Sequence, residues 1–167
     1  MNADSLLNFP DFRAHERSFQ LLLQVAGRAG RTKDRGKVLI QTYNPYHQIL
    51  QQVSSNNYAE MYKEQMDDRY NFKYPPYYRL IKLTLKSRDY NLVNEASAWL
   101  VKALSQAFHP HVLGPEFPPV ARIRNEYYKN IVVKIPPKNS IGKTKEYINR
   151  VLKSYHSIAN YRKVRVI

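Results

Sequence analysis

The sequence contains no cysteine, which excludes disulfide bonds and thiolate-ligated zinc sites within this chain. No apolar run approaches the roughly 18 residues that a membrane-spanning helix needs, and the first residues lack the pattern of a signal peptide. We therefore expect no membrane partner and a cytoplasmic location. Glycine is scarce, with five in 167 residues, but the 43% hydrophobic content is ordinary for a globular chain.

Acidic residues are few compared with basic ones. Against 27 Lys and Arg there are 13 Asp and Glu, which gives a net charge of +14. Residues 1–74 hold ten basic and eight acidic residues, whereas residues 75–167 hold seventeen and five. Such a charge predicts a polyanionic partner, either nucleic acid or an acidic protein tail, for the C-terminal part of the chain.

Residues 24–31 carry the most specific motif, Q-x-x-G-R-x-G-R. Phosphoryl transfer depends on positioning and charge neutralisation, so guanidinium groups must reach the phosphate oxygens and glycines let the backbone come close. The motif is similar to the one that closes the nucleotide site of superfamily 2 helicases. This similarity implies that Arg31 and Arg28 are arginine fingers and that Gln24 belongs to the same site.

The surroundings extend the similarity. N-A-D at 2–4 and N-F-P-D-F-R-A at 8–14 precede the motif, and I-Q-T-Y-N-P at 40–45 and Y-P-P-Y at 74–77 follow it. Together these segments resemble the C-terminal part of the PriA family of primosomal replication-restart helicases, over nearly the whole chain. The resemblance implies an ATP-dependent 3′-5′ DNA helicase that recognises stalled or branched forks and assembles the primosome.

A helicase of this class also needs a P-loop and an acidic magnesium-binding motif, which this sequence lacks. Gly142-Lys143-Thr144 imitates a P-loop end, but Pro137 replaces the first glycine, so we predict a polar helix start there. The resemblance implies a fragment, inactive alone and without a bound cofactor. ATP and magnesium would bind the intact protein, and the zinc of the family would lie in an upstream module.

Apolar periodicity predicts four elements in the first half: a helix at 15–26, a strand at 37–43, and helices at 46–54 and 57–72. The glycines after residue 26 are expected to end or distort the first helix. The prolines at 75 and 76 cannot continue a helix and mark a boundary. With the resemblance, we predict three parts: the end of the second RecA-like helicase lobe at 1–50, a helical linker at 51–76, and a C-terminal DNA- or protein-binding domain at 77–167.

The sequence of the C-terminal part predicts strands and helices in the order β-α-β-β-α-β. Its expected elements are a strand at 78–87, a helix at 90–108 capped by Asp89, a short strand from 112, a hairpin at 124–130, a strand at 131–135, a helix at 140–154 and a strand at 163–167. This order predicts a ferredoxin-like sandwich, and the whole chain is assigned to the α/β (α+β) class.

Two groups of residues are candidate binding sites in this domain. The hairpin combines basic and aromatic residues that grip phosphates and stack bases: Arg122, Arg124, Tyr127, Tyr128 and Lys129. A solvated turn whose tyrosines cover the sheet edge explains the same residues equally well, and the resemblance favours DNA. The second group is Lys138, Lys143 and Lys145, near the start of the last helix.

The resemblance implies that the second group docks the acidic tail of single-stranded DNA-binding protein, although Ile141 stands where a basic residue is expected. Three classes of function remain open: a piece of a restart helicase, a stand-alone nucleic-acid-binding module, and a docking domain for single-stranded DNA-binding protein or other primosome proteins. The helicase motif favours the first, because neither alternative requires Gln24 and Arg31 at that spacing.

Overall fold

The computed structural model of the chain describes residues 2–29 and 37–167. The chain divides into two compact units, Met1–Phe72 and Lys73–Ile167. The predicted division into a motor lobe, a linker and a C-terminal domain stays a prediction. Its first boundary, after residue 50, lies inside the helix Gln48–Ser54. Arg31 lies outside the described residues.

The first unit is built from helices in its described part. These are α1 (Asp4–Leu7), α2 (Ala14–Ala29), α3 (Gln48–Ser54) and α4 (Tyr58–Asn71). His47 and Asn57 cap α3 and α4, because each side chain accepts a hydrogen bond from a backbone N–H in the first turn. One apolar core joins the helices, formed by Ala3, Leu7, Phe19, Leu22, Ile49, Leu50, Val53 and Met61.

Helix α2 is longer than predicted. It starts one residue earlier and continues through Gly27 to Ala29, so Gly27 does not end it, and the effect predicted for Gly30 lies outside the described residues. A glycine near a helix end costs about 1 kcal/mol, which the packing of Phe19 and Leu22 in the core outweighs. Ala26 near its end is exposed, whereas the buried Ser18 hydroxyl donates to the Ala14 carbonyl at 2.7 Å.

The strand predicted at 37–43 does not form. A single parallel bridge joins Gln41 to Asn2. The Asp4 carboxylate accepts hydrogen bonds from the Thr42 hydroxyl at 2.7 Å and the Tyr43 N–H at 3.2 Å, which holds this segment as a loop beside α1. A β-rich composition indicates a strand only where a neighbouring strand can satisfy its backbone groups.

The second unit combines helices with an antiparallel sheet. Its elements are β1 (Arg79–Ser87), α5 (Tyr90–Phe108), β2 (Val112–Glu116), β3 (Arg122–Ile123), β4 (Glu126–Ile135), α6 (Ile141–Ser157), a 3-10 helix (Ala159–Lys163) and β5 (Arg165–Val166). The main strands lie in the order β2-β4-β1-β5, with β3 paired to β4. The predicted mixed α/β class is confirmed, and the finer ferredoxin-like assignment stays a prediction.

Several predicted elements of this unit are confirmed. Helix α5 has the expected bounds, and its Asp89 cap accepts a hydrogen bond from the Leu92 N–H at 3.0 Å. The P-loop-like segment is the first turn of α6, where the buried Thr144 hydroxyl donates to the Ser140 carbonyl at 2.9 Å. Helix α6 runs three residues past its predicted end, and the 3-10 helix shortens the last strand to two residues.

The sheet has two chemically different faces. Residues of β1 and β4 alternate between them, and those on the first face pack with α5 and α6 in one core that includes Leu83, Leu85, Ile131 and Val133. We call the other side the outer face. It is defined by Lys82, Thr84, Lys86, Tyr128, Asn130, Val132 and Arg165, which are register partners across β1, β4 and β5, and by Glu126, which precedes them on β4 with the same alternation.

Candidate nucleic-acid interface

The predicted hairpin is a tight two-residue turn between β3 and β4. Arg122 pairs with Tyr127 and Ile123 with Glu126, so the turn of the hairpin predicted at 124–130 consists of Arg124 and Asn125. The predicted start of the following strand at residue 131 is wrong, because Glu126 and the four residues after it belong to β4 and most pair with β1. The two turn residues have φ of 50° and 63°, as a type I′ turn requires.

Strand alternation divides the predicted DNA-binding residues between two surfaces. Tyr127 and Lys129 lie on the face that carries the helices, whereas Tyr128 lies on the outer face. Arg122 joins the first pair because its guanidinium carbon lies 5.0 Å from the centroid of the Tyr127 ring. Arg124 occupies the exposed turn. The structure thus brings three of the five residues together and separates Tyr128 from them.

The three grouped residues meet an aromatic cluster formed by Tyr90, Phe117 and Tyr127. Tyr90 stacks almost parallel on Phe117 at 5.8 Å and meets Tyr127 edge-on at 5.3 Å. The Lys129 ammonium lies 3.7 Å from the centroid of Phe117. Burial lowers the pKa of Lys129, against the opposing charge of Glu116. Tyr90 and Phe117 were not among the site residues predicted from the sequence. Tyr90 is far from the hairpin in sequence, and only the tertiary fold stacks it on Phe117 and beside Tyr127.

The outer face presents a different arrangement around Tyr128. Lys86 of β1 is paired with Tyr128 on one side and with Arg165 of β5 on the other. The Glu126 carboxylate binds both cations, with Lys86 Nζ at 3.9 Å and Arg165 also in hydrogen-bond contact. One row beyond, the Thr84 hydroxyl donates to Asn130 Oδ1 at 3.0 Å. The alternation of Lys82, Thr84 and Lys86 with apolar residues is visible in the sequence, but the pairing of Lys86 with Tyr128 is not.

A polar pocket of about 620 Å³ adjoins this end of the outer face. It is lined by residues from the end of β1, the start of α5, the 3-10 helix and β5, among them Ser87, Arg88, Asp89, Glu126, Lys163 and Arg165. Three of these side chains are cationic and two are acidic. The pocket thus continues the positive surface beyond the last row of the sheet.

The lysines predicted to bind an acidic tail surround the start of α6. Lys138 precedes the helix, and Lys143 and Lys145 are exposed in its first turns. The last two are two positions apart on the helix, so they do not share a face. Farther along, α5 and α6 form a groove of about 490 Å³ lined by Trp99, Lys102, Tyr147 and Arg150 among others, with the Arg150 guanidinium 5.5 Å from the Tyr147 ring.

The helicase-like motif lies in the first unit. Gln24 and Arg28 are exposed and four residues apart on α2, so they lie on one helix face. Arg28 occupies the last turn, where the helix dipole favours a cation. No three His, Asp or Glu side chains of the described ranges come together as a metal site. Within the same ranges, no helix is long and apolar enough to cross a membrane.

Comparison with known proteins places this geometry in context. The family model described as the primosomal protein N C-terminal domain matches residues 70–167. The replication restart protein PriA of Bacillus subtilis is 36% identical over 163 residues, covering 93% of this chain and 20% of that protein. PriA proteins of Synechocystis and Treponema pallidum are each 39% identical over 137 residues, covering 80% of this chain and 16% and 21% of theirs. The chain thus spans about a fifth of these relatives.

Proposed function

The chain belongs to the PriA family, and on that premise we propose that it is the C-terminal segment of an ATP-dependent 3′-5′ DNA helicase. The intact protein would recognise stalled or branched replication forks and assemble the primosome for replication restart, in the cytoplasm. Residues 1–50 would complete the second RecA-like lobe, 51–76 would be the linker, and 77–167 would bind DNA or protein. The match of the family model to residues 70–167, together with a relative whose similarity covers 93% of the chain, carries this proposal.

The first unit would contribute to ATP hydrolysis in the intact protein. Gln24 and Arg28 suit this role because both are exposed on one face of α2. With Arg31 they would contact the phosphates of ATP, whose chemistry is phosphoryl transfer to water with magnesium neutralising the phosphate charge. The guanidinium groups would orient the γ-phosphate and balance the charge that develops on its oxygens.

The second unit would bind fork DNA. Its basic excess, seventeen Lys and Arg against five Asp and Glu over residues 75–167, supports contact with a polyanion. We assign the contact to the hairpin end, where Arg124 is exposed and where Arg122 and Lys129 contact the aromatic cluster that includes Tyr127. Contact with about six phosphates predicts that log K falls with log salt at a slope near −5.

The test is fluorescence anisotropy of the 167-residue chain with labelled forked and duplex DNA across a salt series. A preference for forked DNA with a steep salt slope supports the proposal. Binding that is absent at low salt, or equal for the two DNAs and flat with salt, contradicts it. Charge reversal at Arg124 is the sharpest variant, since its side chain is exposed at the turn. It should weaken binding and flatten the slope.

The docking of an acidic protein tail is a second candidate function. The groove between α5 and α6 favours it, because two aromatic residues and two cations line one surface. Lys138, Lys143 and Lys145 would extend that positive surface toward the start of α6. The partner would be the acidic tail of single-stranded DNA-binding protein. The test measures binding of the tail peptide to the chain. Arg150→Glu should abolish this binding while leaving fork affinity within about threefold, since one phosphate contact at most is lost.

A further inference from the structure

We propose that the outer face of the sheet binds an unpaired DNA strand, with Tyr128 as the base-stacking residue and Lys82, Lys86 and Arg165 as phosphate contacts. This inference rests on the proposed DNA-binding function and deepens it. It assigns the single-stranded arm of a fork to a surface distinct from the hairpin tip and its aromatic cluster.

The ring of Tyr128 differs from that of its neighbour in what surrounds it. Tyr127 is engaged by the Tyr90 ring and the Arg122 guanidinium. Across residues 2–29 and 37–167, no aromatic ring or cation stacks on Tyr128, although its side chain is only half-buried. Sheets that bind single-stranded nucleic acid stack bases on aromatic side chains of their central strands. Tyr128 lies on β4, which is central between β2 and β1.

Cations flank this tyrosine in register. Tyr128, Lys86 and Arg165 form one row across β4, β1 and β5, with neighbouring strands about 4.8 Å apart. The exposed Lys82 lies two rows away, opposite Val132. A base stacked on Tyr128 would therefore have cations on one side for its flanking phosphates. Such a pairing of aromatic platform and basic groove is typical of single-strand binding.

The same geometry disfavours a duplex on this face. A stacking contact requires a base with a free face, which an interior pair of a duplex does not offer. The side chains between the cationic rows are Thr84 and Asn130, whose mutual hydrogen bond uses Asn130 Oδ1 and leaves its amide N–H groups to donate to a base edge. We therefore expect this face to prefer unpaired strands.

Glu126 offers a substitution that should strengthen DNA binding, whereas substitutions of Tyr128 or Lys86 should weaken it. Its carboxylate, on a side chain that is 18% exposed, binds Lys86 and Arg165, the two cations in the same row as Tyr128. A DNA phosphate would compete for these same partners. Removing the negative charge with Glu126→Gln should therefore tighten binding of an unpaired strand, whereas a face that does not bind DNA would show no change.

The experiment measures anisotropy of the 167-residue chain with labelled oligothymidylate and with a blunt duplex. We expect Tyr128→Ala to weaken oligothymidylate binding about fivefold to a hundredfold, as expected for one stacked base, and Tyr128→Phe to retain it. Lys86→Gln should weaken binding several-fold and Glu126→Gln should strengthen it. Lys153→Gln, an exposed lysine of α6, is the matched control and should have the smaller effect.

A second measurement works on the unaltered protein. Irradiation with oligothymidylate that carries iododeoxyuridine should cross-link Tyr128, identified by mass spectrometry of the digested adduct. Cross-links confined to other tyrosines, or unchanged affinity in Tyr128→Ala and Glu126→Gln, overturn this inference while fork binding by the wild-type chain leaves the proposed function standing. Failure of the wild-type chain to bind any of the three DNAs overturns both.

Discussion

The position of α2, which carries Gln24 and Arg28, should depend on an ion pair with α4. The Glu16 carboxylate binds Arg69 Nη2 at 2.5 Å and Arg13 Nη2 at 3.4 Å, and the Glu16 and Arg69 side chains are 22% and 15% exposed. Arg69 also lies over the Phe12 ring, at 5.3 Å from the centroid. The pair therefore joins two helices in a partly desolvated site.

We expect Glu16→Gln to reduce the free energy of unfolding by about 1–3 kcal/mol. An exposed pair contributes about 0.2–1 kcal/mol, whereas breaking a fully buried pair costs about 3–5 kcal/mol, and this site lies between the two. The loss includes leaving the Arg69 guanidinium without its carboxylate partner. A double-mutant cycle with Arg69→Met should give a coupling of similar size, because the two side chains are in direct contact.

The loss of stability caused by Glu16→Gln should become smaller as the pH falls. Burial acts to raise the pKa of Glu16, but the hydrogen bonds and charges of Arg13 and Arg69 outweigh it and hold the pKa below its usual value of 4.5. A carboxylate with a lowered pKa in the folded state contributes stability above its unfolded pKa, and this is lost as the pH falls through the folded pKa. The difference between wild type and Glu16→Gln should thus be full at pH 7 and disappear in acid.

The assay is urea unfolding followed by far-ultraviolet circular dichroism between pH 7 and pH 3. Trp99 is the single tryptophan and lies in the second unit, so its fluorescence serves as the internal control and should report an unchanged transition. A coupling near zero, or a stability difference that persists undiminished at pH 3, would refute the ion-pair reasoning.

Three further predictions concern the motif and the second unit. Arg31→Ala in the full-length protein should lower ATP turnover by about 10³ to 10⁵ while fork binding persists, and retained DNA-stimulated ATPase contradicts its assignment as a finger. Arg124→Gly should stabilise the second unit by roughly 0.5–1 kcal/mol in Trp99-detected urea unfolding, because glycine adopts its φ of 50° without a Cβ penalty. Gly114→Ala should destabilise it by about 2–4 kcal/mol in the same assay, since a Cβ there would lie 2.5 Å from the Asn130 carbonyl oxygen and φ is 101°; no loss would show that β2 can shift.

Helix α5 shows how local signals sufficed for part of the fold. Asp89 offers cap chemistry, and apolar residues recur at helical spacing up to Leu104. Both signals involve neighbours in sequence, so the bounds were predicted to the residue. The first strand of the second unit was predicted nearly as well, because its apolar and polar residues alternate from residue 81 onward.

Strand β4 shows where local signals failed. Its first five residues are polar and aromatic, and they were predicted to lie in a hairpin that precedes a strand at 131–135. They are a strand because most of them pair with β1, with Lys129 opposite Leu85 and Tyr128 opposite Lys86. At 37–43 the error is the reverse, because a strand was predicted and none forms. This β-rich segment makes one bridge and has no neighbouring strand to pair with. Pairing partners decide strands, and they are distant in sequence.

For this protein, the sequence by itself determined the family resemblance, the basic C-terminal half and the periodic helices, because motifs, charge and periodicity are properties of neighbouring residues. The tertiary structure alone decided that adjacent Tyr127 and Tyr128 serve different surfaces. It placed Tyr90 and Phe117 beside the first and Lys86 and Arg165 beside the second. The physical reason is that strand pleating sends successive side chains to opposite faces, and only the pairing register determines which distant side chains each one meets.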